Sequence, residues 1–259
     1  VDGVMAANQW GAIDNEDAGD DDEPEHYWYY FQANGKALKQ GDSDKVSLKT
    51  VNGKKYAFDD EGKMLYGWVD ENSAERIDNT DGDAFKEATY YFGGEDDGAM
   101  TTGWLLTDVT YNEATNDDYK YTAAAFNDDE DQTRWFYFKS NGKMIKADNG
   151  ERTKDKTING KKYAFDDEGK MLYGWVAADN AERVDDTDGD AFKEGDYYFG
   201  GEDDGAMTTG WLLMDITYDE ATSDYEIAPA FNEDEDQSRW FYFKSNGKKV
   251  YSTSTDETK

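Results

Sequence analysis

The groups in this chain that could do chemistry are carboxylates and aromatic rings. Asp and Glu number 60 among 259 residues, against 27 Lys and Arg, one His (His26) and no Cys. Thiolate metal sites and disulfides are therefore excluded, and any imidazole chemistry would have to be built on His26 alone. Two acidic stretches invite a metal reading: Asp78, Asp81 and Asp83, and their counterparts Asp185, Asp188 and Asp190. Ca²⁺ is a hard cation that collects several oxygens. The EF-hand spacing is not met, because the Gly follows the second Asp and no Glu stands at the required distance, so a solvated acidic loop is the plainer alternative. General acid–base work needs a carboxylate whose pKa is shifted by an apolar setting. No carboxylate pair lies in an apolar segment, and a thin repeat protein encloses little volume, so a non-enzyme is expected.

The net charge of −33 repels phosphate backbones and anionic lipid surfaces, which disfavours nucleic acid and membranes as partners, and it attracts cations. No apolar run approaches the ~20 residues of a membrane span, and no signal-peptide pattern opens the chain, which reads as a mature or excised fragment. Only 37% of residues are hydrophobic, yet 15% are aromatic, with 8 Trp and 19 Tyr. Disordered acidic chains are poor in rings, so this one is expected to fold by burying rings in place of aliphatic side chains.

What must position these groups is a repeat. The stretch Asn52–Val69, NGKKYAFDDEGKMLYGWV, returns unchanged at Asn159–Val176, every residue shifted by 107 positions. It reads as an aromatic strand (Tyr56, Phe58), a turn (Asp59–Gly62), a second strand (Met64–Tyr66) and a Gly-Trp step (Gly67, Trp68). A second hairpin type, WYYFQANGK at Trp28–Lys36, reappears as WFYFKSNGK at Trp135–Lys143 and Trp240–Lys248. A third, YYFGGEDDGAMTTGWLL at Tyr90–Leu106, recurs at Tyr197–Leu213. The Asn-Gly pairs at 34–35, 141–142 and 246–247 are strong hairpin signals. One hairpin cannot bury its own face, so stacking must supply the core.

Insertions interrupt the stack. Asp70–Thr89 and Ala177–Asp196 read as polar loops, while Thr107–Arg134 and Met214–Arg239 read as an extra or elongated hairpin, with strands at Asp108–Tyr111 and Tyr119–Phe126 around the turn Asn112–Asp118. The expected fold is an all-β hairpin-repeat solenoid with two 107-residue super-repeats. Residues 1–26 form a partial repeat and acidic linker, with Gly3-Val4-Met5 as the tail of a preceding unit. Residues 27–134 and 135–239 are the super-repeats, and 240–259 a terminal hairpin and frayed tail.

The core motif, an aromatic strand ending in Phe, a turn, Gly-x-Met and then Gly-Trp, resembles the cell-wall-binding repeats of Gram-positive surface proteins, among them choline-binding and glucan-binding repeats. The resemblance covers the repeated hairpins and leaves the insertions outside. It implies cages built from the Trp of Gly-Trp, the Trp opening the next aromatic strand, and a ring from the following unit. A quaternary ammonium is held there by cation–π attraction, and sugar rings stack on the same faces. Carried over, Gly-Trp stands at Trp68, Trp104, Trp175 and Trp211, with Trp10 as a variant. The opening Trp is present only at Trp28, Trp135 and Trp240; its place is taken by Lys55, Thr89, Lys162 and Asp196 elsewhere. The candidate ligand-binding residues are thus the pairs Trp10/Trp28, Trp104/Trp135 and Trp211/Trp240, with Tyr56 and Tyr163 as following rings. The expected partner is a cell-wall polymer, through teichoic acid choline or through glucan or peptidoglycan sugars. The expected location is the cell surface or wall of a bacterium, after secretion. The alternatives are that the rings are only core, in a structural or adhesive rod whose acidic insertions bind a protein, or that the chain is a Ca²⁺-dependent adhesin.

Overall fold

The computed structural model describes residues 3–19, 23–110, 131–148, 150–178, 183–184, 186, 189–217 and 236–252. Among them are fourteen strands and two single 3-10 turns. The chain forms two compact units, one from Val1–Asn112 with Asp129–Ile145 and the other built mainly on Lys146–Lys259. The first holds β1 (Gln9–Asp14), β2 (His26–Phe31), β3 (Lys49–Val51), β4 (Lys54–Tyr56), β5 (Gly67–Val69), β6 (Tyr90–Phe92), β7 (Gly103–Thr110) and β8 (Asp131–Phe138). The second holds β9 (Lys156–Ile158), β10 (Lys161–Tyr163), β11 (Gly174–Val176), β12 (Tyr197–Phe199), β13 (Gly210–Thr217) and β14 (Asp236–Phe243). Strands pair only two by two, each with its chain neighbour and always antiparallel, so the all-β hairpin-repeat class is as expected.

The pairing redefines the hairpin. Each Gly-Trp strand pairs with the aromatic strand that follows it: Trp10 faces Tyr30, Trp68 faces Tyr91 and Trp104 faces Tyr137. In the second unit Trp175 faces Tyr198 and Trp211 faces Tyr242. The second strand expected at Met64–Tyr66 is reduced to one bridge, Phe58 to Met64, with like bridges from Phe92 to Met100 and Phe138 to Met144. The tightest hairpins turn at Asn52-Gly53 and Asn159-Gly160, where both residues have positive φ (49° and 85°, 50° and 83°). That double left-handed step gives a reversal whose twist matches the strands, and Asn followed by Gly tolerates it best. At the pairs 34–35, 141–142 and 246–247 only the glycine is left-handed.

One residue stitches successive hairpins. The Met64 N–H donates to the carbonyl of Trp28 in the preceding hairpin (2.8 Å), Met100 to Lys55 (2.8 Å) and Met144 to Thr89 (2.8 Å). In the second unit Met207 donates to Lys162 (2.8 Å) and Lys249 to Asp196 (2.6 Å). The accepting residues are the strand-opening positions, so the backbone there is used whatever side chain it carries. The methionine side chains point the other way, onto a turn glycine of the next hairpin: Met5 on Gly35, Met64 on Gly98, Met100 on Gly142, Met171 on Gly205 and Met207 on Gly247. These glycines have φ between 52° and 83°, where an L side chain is strained, and any Cβ would intrude on the thioether.

Acidic turn residues are structural. Asp59 Oδ1 accepts from the N–H groups of Glu61 (3.0 Å) and Lys63 (2.7 Å), and Asp166 repeats this with Glu168 (3.0 Å) and Lys170 (2.8 Å). Such bonds satisfy turn donors that have no strand partner. Burial raises the Asp166 carboxyl to about 6 despite the Lys170 ammonium beside it.

The insertions differ from expectation in one respect. Asp70–Thr89 is polar in sequence but plants Ala84 and Phe85, from a single 3-10 turn at Ala84–Lys86, in the core, where Phe85 is fully buried. The insertion after Trp104 lengthens the existing hairpin, with β7 and β8 paired out to Thr110 and Asp131, in keeping with the elongated alternative. The turn Asn112–Asp118 and the strand expected at Tyr119–Phe126 lie outside the described residues.

Gly98→Ala is expected to destabilise the chain by about 1–3 kcal/mol, combining a positive-φ penalty with displaced Met64. In a double-mutant cycle with Met64→Ala, measured by denaturant unfolding, a coupling of roughly 0.5–1.5 kcal/mol is expected. Additive effects would mean that the methionine does not clamp the glycine.

Candidate aromatic ligand site

Two classes of ring emerge from the stack. Trp68 is 3% exposed and Trp175 1%. Trp68 meets Tyr91 across its own hairpin (centroids 4.9 Å), Phe136 and Phe138 of the next (5.2 and 6.2 Å), and Phe85 from the insertion (6.4 Å). Trp175 repeats the arrangement with Tyr198, Phe241 and Phe243 (5.2, 5.2 and 5.9 Å). Edge-to-face packing of this kind adds about 0.5–1.5 kcal/mol per pair beyond area burial. These rings are core, closed off by Phe85 in one unit and by Ala191 and Phe192 of the corresponding insertion in the other.

The pairs proposed from the sequence form the second class, and they are not alike. Trp211 and Trp240 stand 6.4 Å apart at 86°, with Tyr242 5.0 Å from Trp211. All three are open, at 67%, 63% and 41% exposure. Together they make a corner of two perpendicular indoles with a phenol behind. Trp104 and Trp135 keep the same geometry (6.1 Å, 87°), with Tyr137 at 5.0 Å, and are half-buried. Trp10 and Trp28 are held differently. Trp10 packs on Tyr30 (5.3 Å), Tyr56 (4.9 Å) and Phe58 (5.9 Å), whereas Trp28 sets its ring against His26 (5.3 Å). The Trp28 indole N–H donates to Asp96 Oδ1 (3.0 Å), and His26 Nε2 lies 3.1 Å from the same oxygen. That carboxylate, 75% exposed, brings a negative charge to the rim of the Trp10/Trp28 cluster. Tyr56 and Tyr163 are both buried.

Aromatic faces elsewhere are taken by the chain's own cations: Lys63 over Tyr27 (4.1 Å), Arg76 over Tyr66 (4.4 Å), Arg152 over Tyr197 (4.4 Å) and Arg183 over Tyr173 (4.3 Å). Lys249 Nζ sits over Trp175 (5.1 Å).

The acidic candidates do not converge. Asp78 Oδ1 accepts from the Thr80 N–H (2.9 Å) and hydroxyl (2.7 Å), and Asp83 pairs with Lys86 (3.0 Å) as Asp190 does with Lys193 (3.0 Å). Asp81 is exposed, and Asp185 and Asp188 lie outside the described residues. Among the described residues no group of three or more His, Cys, Asp or Glu side chains could hold a metal ion.

Three contributors were missed in the sequence: the third ring of each corner (Tyr137, Tyr242), the Asp96 clasp on Trp28, and the plugs Phe85 and Phe192. The Ala-Phe pair inside each otherwise polar DGDAF was the available signal for the plugs.

Residues 131–144 and 235–249, the two strands and turns that hold Trp135 and Trp240, match the family model of a cell wall binding repeat. Glucosyltransferase-S of Streptococcus mutans is 29% identical over 208 residues, covering 68% of this chain. The match spans only 12% of that relative's length. Among solved structures, choline binding protein F of Streptococcus pneumoniae, crystallised in the presence of a peptidoglycan analogue, is similar with a TM-score of 0.44 and 20% identity, over 94% of this chain and 66% of that one. The modular autolysin LytC of the same organism gives a TM-score of 0.42 and 19% identity, over 95% of this chain and 33% of its own.

Trp68→Ala and Trp175→Ala are expected to cost about 3–5 kcal/mol each, as for other large-to-small core changes. Trp211→Ala and Trp240→Ala are expected to cost less than about 1 kcal/mol, since their rings are already in water. Urea unfolding of the four variants checks the division; equal losses in all four would erase it.

Proposed function

We propose that this chain is a non-catalytic module that attaches a bacterial surface protein to the cell wall, gripping choline-like or sugar groups on open tryptophan corners. The observation that carries the reading is the Trp211/Trp240/Tyr242 corner: perpendicular indoles 6.4 Å apart, exposed on a hairpin that carries a cell wall binding repeat. A quaternary ammonium within about 6 Å of an indole centroid gains roughly 0.5–2 kcal/mol per face, and two faces at right angles wrap it from two sides. A net charge of −33 raises the local concentration of such cations, within the ~8 Å that physiological salt leaves unscreened. Indole faces also stack on the C–H face of a sugar ring, and the likeness to a streptococcal glucosyltransferase makes glucan the second ligand to test.

Each corner alone is weak. The Trp104/Trp135/Tyr137 corner repeats the geometry, and the Trp10/Trp28 cluster with Tyr56 adds a further site whose Asp96 carboxylate favours a cation. Several weak sites on one chain gain about 10²–10⁴ in avidity on a polymer that presents the group repeatedly. A wall polymer meets that requirement and a free small molecule does not. The described carboxylates serve turns and ion pairs, which supports a binding role over a catalytic one.

The test is a titration of tryptophan fluorescence with choline and, separately, with isomalto-oligosaccharides. The expected result is a saturable change for one of them, weakened at least roughly tenfold by Trp211→Ala, as loss of about 1.4 kcal/mol implies. No response to either ligand, together with no retention on purified walls, contradicts the reading.

A further inference from the structure

One packing contact recurs along the chain, and each of its two halves is left without a partner once. The Gly-Trp indole of a hairpin packs on two rings of the next: the phenylalanine that carries the single bridge, and the ring two residues before it. Trp10 meets Phe58 and Tyr56 (5.9 and 4.9 Å), Trp68 meets Phe138 and Phe136 (6.2 and 5.2 Å), and Trp175 meets Phe243 and Phe241 (5.9 and 5.2 Å). The angles repeat too, 25°, 37° and 37° to the phenylalanine and 62°, 69° and 73° to the earlier ring. Trp211 lacks this partner: among the described residues it meets only Trp240 and Tyr242, both of its own hairpin. The other half stands alone at the first hairpin. Phe58, Phe92, Phe138, Phe165, Phe199 and Phe243 are all 1% exposed or less. Phe31, at the same position, is half-buried, and among the described residues its ring meets only that of Tyr29 (6.4 Å).

We propose that the Trp211 face of β13–β14 docks the Tyr29/Phe31 edge of a second copy of this chain, rebuilding between copies the contact made three times within one. The register puts the right residues on each side. Trp211 lies opposite Tyr242 and Leu213 opposite Trp240, so these four share one face, and all four are exposed. In the first hairpin Ile13 lies opposite Tyr27 and Gly11 opposite Tyr29, so the alternation of the strand places Ile13 with Tyr29 and Phe31, away from Trp10 and Trp28. Ile13 is exposed as well, and Gly11 leaves room for the Phe31 ring, which a Cβ there would meet at 2.9 Å. One face meets a different face, so the contact is heterologous: a bound pair still offers one free face of each kind, and further copies can add. The net charge of −33 on every copy opposes the approach, and salt relieves that repulsion. The contact does not rest on the ligand reading. A wall ligand and a second copy compete for the same indoles, and the association stands without any ligand.

The test is sedimentation velocity on the full chain without ligand, from about 10 µM to about 1 mM, because a single hairpin face is a small interface with an expected Kd of roughly 0.1–1 mM. The weight-average sedimentation coefficient is expected to rise with concentration, and to rise further in about 0.5 M than in about 0.05 M NaCl as the Debye length shortens. Trp211→Ala and Phe31→Ala are each expected to weaken the association at least about tenfold. Ile13→Glu should do the same at a side chain already in water, so the fold is kept. Trp211→Ala and Ile13→Glu chains each retain one intact face, so an equal mixture should form dimers that neither variant forms alone. A sedimentation coefficient that does not rise up to about 1 mM at high salt overturns the proposal. So does association that Trp211→Ala leaves unchanged. Association lost in Trp211→Ala but kept in both Phe31→Ala and Ile13→Glu overturns it too, because two Trp211 faces would then be meeting each other. A mixture that fails to restore dimers is equally fatal.

Discussion

The contact on which everything else rests is the methionine that joins three hairpins. Its N–H is bonded to the hairpin before it and its thioether lies on a left-handed glycine of the hairpin after it. Both halves of the contact are needed. A two-stranded hairpin has one apolar face and is not stable in water by itself. The methionine supplies the close approach that lets ring rows from consecutive hairpins meet edge to face, and only glycine offers both the positive φ and the missing Cβ. With spacing set in this way, each Gly-Trp indole is delivered to the same place relative to the following aromatic strand. What then differs from hairpin to hairpin is whether that place is filled.

Filling decides which rings are exposed. Around Trp68 and Trp175 the insertions return an Ala-Phe pair to the core, and the indoles are sealed. Around Trp211 the next aromatic strand opens with Trp240, and the two indoles stand at right angles and exposed; Trp104 and Trp135 keep the same angle and are half-buried. The same repeat therefore seals some of its tryptophans in the core and leaves others open to solvent. The intermediate case is Trp175, where Lys249 places an ammonium over the ring from within.

Much of this was legible in the sequence, for reasons that can be named. The 107-residue copying of Asn52–Val69 and the alternation of Tyr and Phe with Gly-rich turns specify hairpins and their order, because period-2 aromatic patterns and Asx-Gly turns act locally. The pairing partner was less legible. The strand leading to Phe58 could pair forward to Met64 or backward to its neighbour, and the structure gives the longer ladder to the backward neighbour, Lys49–Val51 with Lys54–Tyr56, leaving one bridge from Phe58 to Met64. For the site, residue type identified Trp104/Trp135 and Trp211/Trp240 as pairs, since matching positions on neighbouring strands must meet. The arrangement of Trp10/Trp28 was less legible, because Asp96, 68 positions after Trp28, accepts the Trp28 indole N–H. The acidic loops looked uniformly polar because two buried residues, Ala84 and Phe85, are outnumbered by the Asp around them.

The central claim is that Trp68 and Trp175 are sealed while Trp211 and Trp240 are open, and that ligand meets the open pair and not the sealed one. Indole-¹⁵N-labelled chain, with assignments from single Trp→Phe variants, reports each ring separately in a two-dimensional NMR titration with choline or isomalto-oligosaccharides. The account predicts that the Trp211 and Trp240 indole signals move with ligand while those of Trp68 and Trp175 stay fixed. Movement at Trp68 or Trp175 with Trp211 and Trp240 unchanged would contradict it.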